Sequence, residues 1–272
     1  MLLREPNFSK IATVIGLTIS LNFCLFSLSP LVRAEEANIA SNKNSVTANK
    51  KERRSTNRRS GLPVHRIGGG SRGNCIANQG QLVALVPENS VGITVSTNPQ
   101  LFFYVPQTTK PHLIEFVVRD GQDELVYETL LKTRDRAGVI AIELPENLPQ
   151  KSLKTNENYH WYLSMICNQQ KRSHDIVVEG WLKRIEIEPT ISQKLQNANP
   201  IEQANLYQQQ GIWHDALSVV AQEQKTANNR DAAQAKWTEL LNALGLGQLA
   251  NQPLIETNQS SSTNWFSNNS FR

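Results

Sequence analysis

Tyr159-His160-Trp161-Tyr162-Leu163-Ser164-Met165-Ile166-Cys167 sets Tyr159, Trp161, Leu163, Met165 and Cys167 at every second position. A period of two sends one set of side chains into a core and the other set out of it, so this stretch predicts a half-buried β-strand. Ile114, Phe116 and Val118 repeat the pattern, as do Ile140, Ile142 and Leu144. Working outward, further β-type runs occupy 81–86, 93–96, 101–105, 113–119, 124–132, 138–144 and 176–187. Turn chemistry separates them: Pro87-Glu88-Asn89, Asn98-Pro99, Pro106, Asp120-Gly121 and Pro145-Glu146-Asn147. Eight strands without a helical pattern between them predict an antiparallel, Ig-like β-sandwich over residues 66–188.

After Pro189 the composition turns to Gln, Ala and Asn at helical spacing. Asn199-Pro200-Ile201-Glu202 combines a cap residue, proline at the first helical position and glutamate at the third, which starts a helix that Gly211 ends. A second helix is expected over 213–224, burying Trp213, Ala216, Leu217 and Val220. A third, over 231–244, aligns Ala233, Trp237, Leu240, Leu241 and Leu244 and closes at Gly245 and Gly247. The whole chain therefore reads as mostly β with C-terminal helices, the sandwich being followed by a three-helix cap over 189–250. Residues 251–272 read as a disordered polar tail. The spacing from Ala204 through Tyr207, Gly211 and Trp213 to Leu217 resembles the hairpin of a tetratricopeptide repeat. It makes Tyr207 and Trp213 candidate partner contacts, with a plain helical cap as the other reading.

At the other end, Arg4 and Lys10 precede an apolar run over 11–28, and Val32-Arg33-Ala34 supplies a cleavage site, so residues 1–34 read as a secretory signal. Cleavage near Ala34 would place the remaining 238 residues in the periplasm or outside the cell. Cys24 leaves with the signal. Cys75 and Cys167 remain, and in an oxidising compartment they permit one intramolecular bridge, the alternative being two buried free thiols. Residues 35–75 carry nine Lys/Arg against three Glu, a net of +6, while the chain from Ile76 onward nets −4. Residues 35–65 thus read as a basic, disordered leader, either a solvated linker or a grip on an anionic glycan or membrane surface. Nucleic acid fits poorly, because the folded part is acidic and the basic run has no interleaved aromatics.

Enzyme signatures are sparse, and no catalytic, cofactor or metal residues are expected. His65, His112, His160, His174 and His214 are dispersed, with only Asp175 beside His174 in the chain. Glu179 and Glu186 fall among strand residues, where a glycosidase pair competes with ordinary solvent-facing glutamates. Gly68-Gly69-Gly70-Ser71-Arg72-Gly73 lacks the preceding strand and following helix of a phosphate loop. Its weaker reading is an anion contact through Arg66 and Arg72, against a close-packed lead-in to Cys75. Trp161 and Trp181 offer stacking surfaces for a glycan, but both read as facing inward on their strands.

Taken in order, 66–75 (Arg66-Ile67-Gly68-Gly69-Gly70-Ser71-Arg72-Gly73-Asn74-Cys75), Leu82-Val83-Ala84-Leu85-Val86-Pro87, Phe103-Tyr104-Val105-Pro106, Tyr159-His160-Trp161-Tyr162, Cys167, Gly180-Trp181 and Gly211-Ile212-Trp213-His214-Asp215-Ala216-Leu217 are similar to a secreted cyanobacterial family, the domain of unknown function 928. The resemblance spans about Arg66 to Pro253 and implies source, export and architecture, with no activity to transfer. The expectation is an exported, non-catalytic cell-envelope protein, a protein-binding adaptor or structural module. A glycan- or wall-binding module is the alternative and an unrecognised hydrolase the third reading.

Overall fold

The computed structural model describes residues 65–257 apart from 69–74, 79, 89–91, 135, 147–152, 227 and 228. The chain divides into Met1–Thr56 and Asn57–Arg272, and every described residue lies in the second unit. The expected signal, the leader up to residue 64, Arg72 and tail residues 258–272 therefore fall outside the described residues.

Nine strands and four helices are described: β1 (Val83–Ala84), β2 (Gly92–Thr94), β3 (Gln100–Val105), β4 (Leu113–Arg119), β5 (Leu125–Lys132), β6 (Gly138–Glu143), β7 (Asn158–Ile166), β8 (Ile176–Arg184), α1 (Pro189–Asn197), α2 (Pro200–Gln209), α3 (Trp213–Glu223), α4 (Arg230–Ala243) and β9 (Leu254–Ile255). The protein is mostly β with C-terminal helices, and each expected strand run holds a strand. One sheet runs β1-β3-β6-β9, the other β2-β8-β7-β4-β5.

Both sheets are mixed, which corrects the antiparallel expectation: β2 pairs parallel to β8 and β9 parallel to β6. Turn signals fix the direction only of strands adjacent in sequence, and these two pairs are joined by long stretches of chain. The tail expectation is corrected too, because Leu254 and Ile255 are ordered against Val139 and Ile140. Side chain supply explains this: Ile255 fills the space over Gly138, where a Cβ would overlap it. A fourth helix, α1, was not expected. It buries only Leu195, so its apolar signal is faint, and proline at its start is the remaining cue.

The inward faces of both sheets share one core. Phe103 of β3 meets Phe116 of β4 and Trp161 of β7 edge to face, with centroids 5.8 and 5.4 Å apart, and all three rings are fully buried. Gly180 of β8 lies beneath the Trp161 indole, where any Cβ would collide. A second core lies between the outer face of the four-stranded sheet and the helices. Val83, Leu85, Phe102 and Val139 meet Ala216, Leu217, Val220, Trp237, Leu240 and Leu241 there, with Phe102 and Trp237 5.7 Å apart.

This layering explains two kinds of apolar pattern. Leu101-Phe102-Phe103 and Val139-Ile140 are continuous because β3 and β6 are covered on both faces. β4 and β7 alternate because only one of their faces is covered. The disulfide joins Cys75 to Cys167, just past β7, across 92 residues with Cα atoms 5.4 Å apart. The Asn199 capping box starts α2, and Gly211 at φ +71° turns the chain into α3. Among the described residues no helix is long and apolar enough to cross a membrane.

Candidate functional site

The helices cover the four-stranded sheet and, through α3, the edge strand β2 of the other sheet; no residue of β4, β5, β7 or β8 enters the second core. The outer face of the five-stranded sheet is built by the even phase of β7. Tyr159, Trp161 and Leu163 point inward, so His160 and Tyr162 point out. In β8, Ile176, Val178 and Leu182 are buried, which puts Val177, Glu179 and Trp181 outward. Strand register then makes a small grid. Arg119 lies opposite His160 and His160 opposite Trp181; in the next row Val117 lies opposite Tyr162 and Tyr162 opposite Glu179.

The aromatic members are in contact. His160 and Trp181 stack with centroids 4.3 Å apart and planes 4° from parallel, and Tyr162 contacts His160 at 4.2 Å with planes tilted by 46°. The Tyr162 hydroxyl and His160 Nδ1 are 2.6 Å apart, and the Glu179 carboxylate beside Nε2 favours the tautomer protonated there, in which Nδ1 accepts from the hydroxyl. With Nδ1 accepting, the ring proton sits on Nε2, which faces Glu179 Oε2 at 3.2 Å, off hydrogen-bond alignment but within charge contact. Glu179 Oε1 is 2.7 Å from Nδ1 of His65, whose backbone also bridges to Glu179 as a short extension of the sheet. Burial lowers the His160 pKa despite the opposing Glu179 charge, so the imidazole stays neutral at neutral pH. Burial, then Glu179 and Asp123, raises the Tyr162 pKa, so its hydroxyl remains a hydrogen-bond donor and is not a nucleophile at neutral pH. Beyond this grid Arg172 Nη2 binds Glu115 Oε2 of β4 at 2.7 Å and also pairs with Asp175, the residue before β8.

The result is a stacked aromatic row edged by Arg119, which pairs with Asp123, and by the carboxylate of Glu179. Such a stack turns ring edges outward and sets charged and polar groups beside them, a surface suited to the hydroxyls of a sugar. Trp181 corrects the expectation of an inward indole. Gly180 takes the inward position beneath Trp161, and this shifts the indole to the outside. Glu179 and Glu186 do not face each other: Glu179 sits between two histidines, while Glu186 is exposed beyond the end of β8. The convergence of His65, His160 and Glu179 was hidden by their distance in sequence. Among the described residues no three His, Cys, Asp or Glu side chains gather in a metal-holding arrangement.

The other expected positions lie elsewhere. Cys75 and Cys167 are bridged. Arg66 Nη1 donates to the carbonyls of Val86 at 3.1 Å and Leu244 at 2.8 Å, which closes the end of α4, and its other terminal nitrogen is 4.0 Å from Glu88. Its proposed companion Arg72 is outside the described residues. Tyr207 and Trp213 are both partly buried against the second core.

No curated protein matches the chain. Among solved structures, β-glucuronidase of Bifidobacterium dentium, complexed with coumarin-3-O-glucuronide, matches at 11% identity and a TM-score of 0.22, over 43% of this chain and 17% of that one. The family model described as Domain of Unknown Function (DUF928) matches residues 67–254, a span that takes in β1 to β8, all four helices and the first residue of β9. The chain belongs to the DUF928 family.

Proposed function

We propose that the protein is an exported, non-catalytic cell-envelope module that binds polysaccharide through the outer face of its five-stranded sheet. The observation that carries this reading is the contiguous row of Tyr162, His160 and Trp181, flanked by Glu179 and Arg119, on strands β7 and β8, which the helical core leaves uncovered. Bound glycan lies across the outward edges of this row, and Glu179 and Arg119 orient it through its hydroxyls. The basic leader adds a sequence-independent attraction to acidic glycans or to the wall, and the signal brings the chain to them. The α2–α3 hairpin is a single tetratricopeptide-like unit. Tyr207 and Trp213, which would face a peptide, pack on the second core, which favours the glycan reading over a protein adaptor.

Retention on isolated peptidoglycan and exopolysaccharide tests the proposal, with Trp181→Ala and a chain lacking residues 35–65 as comparisons. Loss of retention in Trp181→Ala supports the sheet face. Retention that depends on the leader alone would refute it.

A further inference from the structure

The described strands leave four sheet edges, and three of them are short and blunted. β1 has two residues and is bridged at Val83 by Ile67, while the Ala84 amide donates to the Arg66 carbonyl at 2.7 Å. β2 has three residues and packs against α3. β9 has two, and just past it the Thr257 hydroxyl donates to the Ala141 carbonyl of β6 at 3.0 Å. The fourth edge is different. β5 has eight residues and, among the described strands, pairs with β4 alone. It contains no proline, and its one shift of register, opposite Val118 and Arg119, falls at its start and leaves residues 127–132 in regular pairing. A long, regular edge strand is a template for another chain.

The charge order along β5 selects the chain that fits. Ladder register puts Glu128 opposite Val117, Leu130 opposite Glu115 and Lys132 opposite Leu113, so these three follow one another on the outer face. Negative, apolar and positive side chains thus alternate with the inward residues, and an antiparallel second copy presents them in reverse. With Leu130 on the two-fold axis, Glu128 of each copy meets Lys132 of the other, and two ion pairs flank a leucine pair within the length of the strand. Other registers lose this match. Centring on Glu128 or Lys132 opposes like charges, centring on Thr129 sets Glu128 against leucine, and centring on Leu131 carries the pairing to Arg134, past the end of β5. Burial and then the Glu115 charge raise the Glu128 pKa against the opposing pull of Arg119 and Arg172, so a further cation there stabilises the ionised carboxylate. We propose that the protein forms a two-fold dimer by antiparallel pairing of β5 with β5 of a second copy, Leu130 facing Leu130. The axis stands perpendicular to the joined sheet, so both outer faces look the same way, with the two β7 strands about 24 Å apart. The pairing does not depend on what the outer face binds.

Sedimentation equilibrium of the exported chain, residues 35–272, over about 1–300 μM is the test, and an interface this short is expected to associate with a Kd on the order of 10 μM. Lys132→Glu sets glutamate against Glu128 at both ends of the pairing. It should weaken association about tenfold or more at an unchanged thermal midpoint, and adding Glu128→Lys should restore it. Leu130→Cys should cross-link two copies under mild oxidation, since opposed Cβ atoms lie about 4.5–5.5 Å apart, whereas Val117→Cys, one strand further in, should not. A monomer at about 300 μM would overturn the proposal. So would unchanged association in Lys132→Glu, a folded double variant that stays monomeric, or cross-linking of Val117→Cys as fast as of Leu130→Cys.

Discussion

His214 and Asp215 are neighbours at the start of α3, and burial pushes their titrations in opposite directions. His214 falls from 6.5 to about 4, and Asp215 rises from 3.8 to about 6 although Thr94 and the amides of Val95 and Ser96 donate to it. For His214, protonation costs more in the fold than in the unfolded chain, so its stability term is complete above 6.5 and is lost as pH falls to about 4. For Asp215, ionisation is the costly event, so its term is complete below 3.8 and is lost as pH rises to about 6. At 1.36 kcal/mol per pKa unit each term is worth about 3 kcal/mol, and across the shared window they cancel. Single substitutions unmask them. Relative to the parent, His214→Leu should gain about 3 kcal/mol as pH drops from 6.5 to 4, and Asp215→Asn should gain about 3 kcal/mol as pH climbs from 3.8 to 6. Only the pH dependence is read, so a constant cost of repacking drops out. Urea denaturation at closely spaced pH values gives the differences directly. Differences that stay flat to within about 1 kcal/mol, or that share one sign, would show that the pair is not buried as described.

Replacing both Cys75 and Cys167 with serine should remove up to about 4–5 kcal/mol, the loop-closure value for a bridge spanning 92 residues, read as a lower urea midpoint. Gly180→Ala forces a Cβ into the Trp161 indole, and an overpacked core of this kind costs about 1–3 kcal/mol, seen in the thermal midpoint. Gly211→Ala should cost about 1–2 kcal/mol because its backbone sits at φ +71°, although nothing crowds the new methyl group. Glycan retention should hold steady through neutral pH and decline only below 6.5, where protonation of His160 Nδ1 removes the acceptor for Tyr162; a decline centred above 6.5 would contradict the lowered His160 pKa.

The strands were legible because burial on one face writes a period of two, and β4 and β7 carry it without interruption. The coverage of the other sheet was legible as well, in retrospect. Leu101-Phe102-Phe103 has no polar phase, which is how a strand buried on both sides reads, and the helices that follow supply the second cover. Strand direction in β2 and β9 was not legible, since two- or three-residue strands joined by long connections leave no hairpin signal. Trp181 was misplaced by reading its strand face as the inward one. The phase set by Ile176, Val178 and Leu182 would have put it outside. The pairing of His65 and His160 on Glu179 had no sequence signal: it exists because residue 65 bridges to β8, 114 positions away. Likewise, the adjacency of His214 and Asp215 was visible, whereas their burial follows only from the packing of α3 against β2 and β3.

Backbone chemical-shift mapping of the isotope-labelled protein with envelope oligosaccharides tests the sheet-face site most directly. The account expects shifts centred on Arg119, His160, Tyr162, Glu179 and Trp181, reduced in Trp181→Ala with the rest of the spectrum intact. Shifts centred on Tyr207 and Trp213, or the same shifts in Trp181→Ala as in the parent, would contradict it.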